Sequence, residues 1–191
     1  MVAAMEHLLP RMVGSRAEWK LINHRGKQCL LGALPGMLRG YARMPGDIRI
    51  LILVDRDDDD CRALKQRLEI AARDAGMPTK THPSNGQFRV VNRIVIQELE
   101  AWFFGDPVVV DAAYANTRSV FARAAYRNPD AIAHTWEALG RILRNARHHL
   151  GAAHLPKTAV ARAIAAHMDP SRNSSPSFRA FHQGLEALLA V

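Results

Sequence analysis

The apolar run Ile48-Arg49-Ile50-Leu51-Ile52-Leu53-Val54 ends in Asp55-Arg56-Asp57-Asp58-Asp59-Asp60. A short, β-branched and almost wholly apolar segment fits a buried strand of a parallel sheet. The five carboxylates at its mouth carry a cost, because like charges a few ångströms apart raise one another's pKa unless a cation neutralises them. A divalent metal is the simplest neutraliser, since it takes several oxygen ligands. In an open α/β sheet, ligands bind at the carboxyl ends of the strands. The strand end at Asp55 is therefore where an ion is expected.

The rest of the amino-terminal half alternates between helical and strand patterns. A helix is predicted over 1–13, where Met5, Leu8, Leu9 and Met12 share a face. A strand is predicted over 19–22 (Trp-Lys-Leu-Ile), then a loop over 23–27 and a helix over 28–43. Residues 44–47, Met-Pro-Gly-Asp, read as a turn. A helix over 58–75 is closed by Gly76. Residues 79–86 form a polar loop, and 88–96 contain another strand. Pro107 opens a further helix, with Asp106 as its cap. From Ala112 onward helical patterns dominate, over 129–150, 157–168 and 178–189. The expected fold is α/β: a parallel sheet flanked by helices over 1–111, with a helical extension over 112–191 packed on it.

Charge limits the partners. The formal net charge of +8 favours a polyanion, and nucleic acid is the expected one. A cluster of acids for an ion beside basic groups for a phosphate track is the combination that a metallonuclease needs. No apolar stretch is long enough to span a bilayer, and no secretory pattern opens the chain. Cys29 and Cys61 form no CxxC pair and fit a reducing cytoplasm. A homo-oligomer stays open.

The candidate site begins with Asp55 and Asp57, because residues two apart in extended backbone point the same way and can aim at one ion. Asp59 is a further candidate ligand. Asp58 and Asp60 fit the cap and first turn of the following helix, where free N–H groups favour acids. Glu98 and Glu100 lie in an apolar setting, where an ionised carboxylate needs a partner. They either complete a coordination shell, with room for a second ion, or are ordinary helix-start glutamates. Lys27, after Gly26 at a predicted strand end, is placed to meet a phosphate oxygen, and His24 to move a proton; surface placement is the alternative for both. Lys157 and Arg162 share that ambiguity. The loop 172–177 either binds phosphate or caps the last helix. His148, His149 and His154 are too loosely spaced for zinc. Trp19, Trp102 and Trp136 are expected in the core.

The stretch Ile50 to Asp57 resembles the DxD strand of Toprim domains, the metal-binding α/β modules of topoisomerases, primases and overcoming-lysogenization-defect nucleases. Four features together resemble a bacterial Toprim-like family, domain of unknown function 4276. They are the loop His24-Arg25-Gly26-Lys27, the strand end Asp55-Arg56-Asp57, the run Glu98-Leu99-Glu100-Ala101-Trp102, and the tail from Asn173 to Phe178. The resemblance implies Mg²⁺ or Mn²⁺ at Asp55 and Asp57, and a place beside an ATPase in phage defence. A Toprim domain opens with a strand ending in a glutamate. This chain opens in what reads as the following helix, with Glu6 inside it. Either a strand precedes Met1 or this version lacks the glutamate, and impaired catalysis is expected in both cases.

Three functions follow. The first is a metal-dependent, nuclease-like phosphodiester-handling protein with Lys27, Glu98 and Glu100 assisting. The second is a non-catalytic subunit that binds nucleic acid or protein. The third is a phosphatase of the haloacid dehalogenase type, which also uses a strand-end DxD. Against it, Asp59 stands where that class carries Thr or Val, and a strand is expected ahead of Asp55.

Overall fold

The computed structural model describes residues 1–44, 46–150 and 154–190. Packing gathers the chain into two compact units: Met1–Leu21 with Ile96–Arg179, and Ile22–Val95 with the chain from Ala180 on. The fold is α/β.

The second unit holds the sheet. Strand β1, Ile50–Asp55, pairs in parallel with β2, Val90–Val95, from Ile50 opposite Val90 to Asp55 opposite Val95. Among the described residues the sheet has these two strands. Parallel strands need a crossover, and helix α3, Cys61–Asp74, supplies it. Leu64, Leu68 and Ala72 of α3 pack with Leu31, Leu34 and Leu38 of α2, Lys27–Ala42, against Ile52, Val54 and Val90. Each such buried leucine contributes about 1.5–3 kcal/mol. Helix α3 ends in a Schellman motif: Gly76 N–H donates to Arg73 C=O at 2.9 Å and Met77 N–H to Ala72 C=O at 2.9 Å. Gly76 has φ +71°, a value that favours glycine.

The other face of β2 meets helix α9, Pro176–Leu189. A Cβ on Gly184 would lie 2.8 Å from Val91 Cγ1 and 2.7 Å from Arg93 Nε, so glycine sets the approach. Arg93 Nε donates to Ala180 C=O at 2.6 Å. Glu69 of α3 ties helix to strand. It accepts from Asn92 Nδ2 at 2.9 Å, pairs with Lys65 at 2.8 Å and accepts from Thr79 Oγ1 at 2.5 Å. Burial alone would raise its pKa, but the Asn92, Lys65 and Thr79 hydrogen bonds outweigh it and bring it down to about 2.

In the first unit, helix α1, Val2–Val13, packs its Ala3, Ala4 and Leu8 face on α8, Lys157–Ala165. Arg11 caps the end of α8 by donating to the carbonyls of Ala165, Ala166 (3.2 Å) and Met168 (2.7 Å). Helices α4, Glu100–Phe104, α5, Pro107–Ala113, α6, Arg118–Phe121, and α7, Thr135–Asn145, complete the unit. Trp102 is fully buried, donates to Ser177 Oγ at 3.0 Å and meets Phe178 edge-on at 5.0 Å. Asn173 Nδ2 donates to Trp102 C=O at 2.7 Å. A Cβ on Gly105 would lie 2.1 Å from Asn173 Oδ1. Among the described residues no helix is long and apolar enough to cross a membrane.

Several expectations are corrected. Residues 19–22 form no strand, and Trp19 and Ile22 are each 42% exposed. Their apolar pattern is real, but no neighbouring ladder takes up their backbone groups, so Trp19 is not core. Trp136 is half-buried. Helix α3 starts at Cys61 rather than 58, because Asp57, Asp58 and Asp59 belong to the turn before it. The expected helix over 129–150 is a 3₁₀ turn, Pro129–Ala131, followed by the shorter α7. Asp106 sits at the start of α5 without capping it; its buried carboxylate pairs with Arg172 at 3.1 Å. Pro45 of the expected turn lies outside the described residues.

Candidate functional site

In the second unit the acidic strand end is organised around a lysine. Strand β1 stops at Asp55, and Arg56 N–H donates to Val95 C=O at 2.9 Å, which carries the ladder one residue further. The chain then turns. Asp57 has φ +50°, and Asp59 N–H donates to Arg56 C=O at 3.1 Å. Asp60 caps α3 by accepting from Ala63 N–H at 2.7 Å.

Lys27, the first residue of α2, donates to Asp57 Oδ2 at 2.7 Å, to Asp59 Oδ2 at 2.8 Å and to the Arg56 carbonyl at 2.9 Å. Three acceptors meet the three N–H groups of one ammonium. The Lys27 side chain is 15% exposed, whereas Asp57 and Asp59 are 49% and 46% exposed. Burial alone would lower the pKa of Lys27, but the two aspartates outweigh it and the net direction is up.

The structure thus joins Asp57, Asp59 and Lys27. The alternation that aimed Asp55 and Asp57 together requires extended backbone, and the left-handed conformation at Asp57 breaks it. Among the described residues no three His, Cys, Asp or Glu side chains gather into a ready-made metal cage. The donor set of two half-exposed carboxylates and a carbonyl is nonetheless of the hard-oxygen type. Mg²⁺ commonly takes only one or two carboxylates, with water and phosphate oxygens filling the rest of its shell. The residues fit such an ion chemically, with Lys27 as the group it would compete against.

The first unit contains a second lysine between two carboxylates. Glu98 follows the left-handed Gln97, Glu100 opens α4 and Lys157 opens α8. Lys157 Nζ lies 3.3 Å from Glu98 Oε1, 3.4 Å from Glu100 Oε1 and 5.3 Å from the centre of the Trp136 ring. Glu98 Oε2 accepts from Thr135 Oγ1 at 3.1 Å and from Trp136 N–H at 3.2 Å, at the start of α7. Glu100 is 1% exposed, and its Oε2 has no hydrogen-bond partner among the described residues.

The two glutamates titrate in opposite directions. Burial raises Glu100, and Lys157 only partly offsets it. Burial would also raise Glu98, but Lys157, the Trp136 N–H and the Thr135 hydroxyl turn the net shift downward. Two neighbouring carboxyls with opposed shifts can divide proton donation and acceptance between them. Lys157 itself is raised: burial opposes its charge, and Glu100 and Glu98 more than compensate.

The remaining candidates have structural roles. Ser175 caps α9 by accepting from Phe178 N–H at 3.2 Å, and Asp130 accepts from Ser177 N–H at 2.7 Å, so the loop 172–177 serves as a cap. Arg162 pairs with Glu6 at 3.3 Å. His148 Nε2 donates to Ala115 C=O at 2.8 Å. Glu98 and Glu100 become partners of Lys157 only in the fold. The place of Lys157 directly after Pro156 at a helix start was the available signal.

The molecule is an α/β protein with a parallel strand pair and an acid-rich strand end joined by a lysine. Over residues 1–186 it matches the family described as Domain of unknown function (DUF4276), and it belongs to that family. Comparison with curated proteins and with solved structures finds no match.

Proposed function

We propose that this chain is a divalent-metal-dependent, nuclease-like protein that handles phosphodiesters, distantly related to Toprim domains and placed beside an ATPase in phage defence. One observation carries the reading. Asp57 and Asp59 present half-exposed carboxylates at the carboxyl end of a parallel strand, around one cationic point. Mg²⁺ or Mn²⁺ there would be held by Asp57 and Asp59, and Asp55, the last residue of β1, is the further candidate ligand. Such an ion supplies Lewis-acid polarisation of a phosphodiester. Lys27 holds the aspartates together and, once released from them, offers its ammonium to a phosphate oxygen. Glu98 and Glu100 belong to the first unit, where they form a separate carboxyl pair able to exchange a proton.

A second reading draws on the same lysine. An ammonium already bonded to Asp57 and Asp59 neutralises them without metal, which favours a non-catalytic subunit that binds nucleic acid. The phosphatase reading loses one objection, since no strand precedes β1 among the described residues; Asp59 still stands against it.

Incubation of end-labelled DNA and RNA with Mn²⁺ separates the first two readings. Cleavage by the wild type and its loss in Asp57→Asn support the enzyme. Retention of uncut oligonucleotide by both supports the binding subunit.

A further inference from the structure

The arginines of the first unit fall into two sets. Arg11, Arg16, Arg162, Arg172 and Arg179 all direct their guanidinium groups to carbonyls or carboxylates within the unit. Arg118, Arg123, Arg127, Arg141, Arg144 and Arg147 are all exposed; Arg118 lies in the field of Asp111, and the other five guanidinium groups have no hydrogen bond or ion pair with the described residues. Residues 112–150 hold these six arginines, no lysine, and two acids, Asp130 and Glu137. Asp130 is engaged by Ser175 and Ser177, and Asp111, just before this stretch, accepts from the Thr117 and Arg118 N–H groups, which leaves Glu137 as the one acid of the stretch not so held.

A local clamp brings the two arginine-bearing stretches together. The Tyr114 ring lies 5.3 Å from His148 and 5.5 Å from His149, and His148 bonds the Ala115 carbonyl. Arg118 follows Ala115 by three residues, and Arg147 adjoins His148. With about 3.8 Å between successive Cα atoms, both arginines lie near that clamp. On α7, Arg141 and Arg144 are neighbours at i and i+3, while Leu139, Ile142 and Leu143 face the core.

We propose that the surface formed by residues 118–127 and the carboxyl-terminal half of α7 docks the phosphate backbone of a nucleic acid. Arginine suits that partner better than lysine, since its planar fork bonds phosphate oxygens in pairs. The docking requires no divalent ion, so it stands independently of the metal reading. Backbone contacts carry no base information, and the surface binds without regard to sequence.

Fluorescence anisotropy with labelled 20-nucleotide DNA and RNA, in EDTA across a salt series, tests the proposal. The wild type binds, and affinity falls as salt rises. Arg141→Gln/Arg144→Gln weakens binding about tenfold and reduces the log–log salt slope by roughly 1.4 to 1.8, as expected for two lost phosphate contacts. Arg39→Gln/Arg43→Gln removes the same charge from exposed positions at the far end of α2, and changes affinity less than about twofold. Binding is read in EDTA and cleavage in Mn²⁺, so the two proposals fail separately. Equal weakening by both double variants would overturn the proposal, because only net charge would matter. So would absence of binding by the wild type, or capture by phosphatidylserine vesicles but not by oligonucleotides. Thermal melts of each variant confirm that the exposed substitutions leave it folded.

Discussion

Each unit contains one lysine between two carboxylates, but the burial is reversed. In the second unit Lys27 is 15% exposed, and its partners Asp57 and Asp59 are about half exposed. In the first unit Lys157 is 50% exposed and Glu100 is 1% exposed. Acids facing solvent can add another cation, or exchange their lysine for one, at little desolvation cost. A buried acid beside a half-exposed lysine is instead forced to choose between ion pairing and a proton. Similar residue chemistry therefore leaves the acids of one cluster open to solvent and buries an acid in the other.

The largest expected effect is on activity. Asp57→Asn or Asp59→Asn should reduce Mn²⁺-dependent cleavage by about a hundredfold or more, measured as initial rate on a labelled oligonucleotide. Full activity in both variants would remove the ion-binding half of the contrast.

Stability tests the other half. Lys157→Met should cost about 2 kcal/mol in urea unfolding, between the values for exposed and buried pairs, because Glu100 loses its countercharge. Adding Glu100→Gln should recover most of that loss, as expected when two residues act through one interaction. Independent, additive costs would show that Lys157 matters for packing instead.

The glutamates should then differ in sign with pH. Glu98 has a folded pKa below its ordinary 4.5. Its ionised form stabilises the fold above 4.5, and that stability disappears as pH falls through the folded value. Glu98→Gln should therefore lose about 1 kcal/mol at pH 7 and match the wild type in strong acid. Glu100 has a folded pKa above 4.5. Its ionisation opposes folding, with no effect below 4.5 and the full effect above the folded value. Glu100→Gln should be at least as stable as the wild type at pH 8, with the gap closing toward pH 4. Denaturation midpoints across pH measure both, and shifts of the same sign would collapse the distinction.

The smallest effect belongs to Lys27→Met, about 1 kcal/mol or less, since its half-exposed partners rehydrate when the lysine is removed. A loss as large as that of Lys157→Met would mean that the open acids depend on their lysine as the buried one does.

Much of this molecule was legible locally. The run 48–54 marked β1, and 88–96 contained β2. Gly76 marked the end of α3, and the helices near 1–13, 157–168 and 178–189 followed from apolar periodicity. Residues 19–22 misled because a short, largely apolar pattern states what could pair, not whether a strand lies beside it. The geometry of the aspartates also depends on more than spacing. Spacing by two aims side chains together only while the backbone stays extended, and it turns left-handed at Asp57. Lys27 was visible near a strand edge. Its bonds to Asp57 and Asp59, and those of Lys157 to Glu98 and Glu100, join residues about 30 and 60 positions apart, and no local pattern specifies such pairings.

Titration calorimetry with Mn²⁺ on the wild type, Asp57→Asn and Lys27→Met tests the central claim most directly. If the open aspartates are an ion site guarded by lysine, the wild type binds, Asp57→Asn does not, and Lys27→Met binds severalfold more tightly. Heat of dilution alone from both the wild type and Lys27→Met would contradict it.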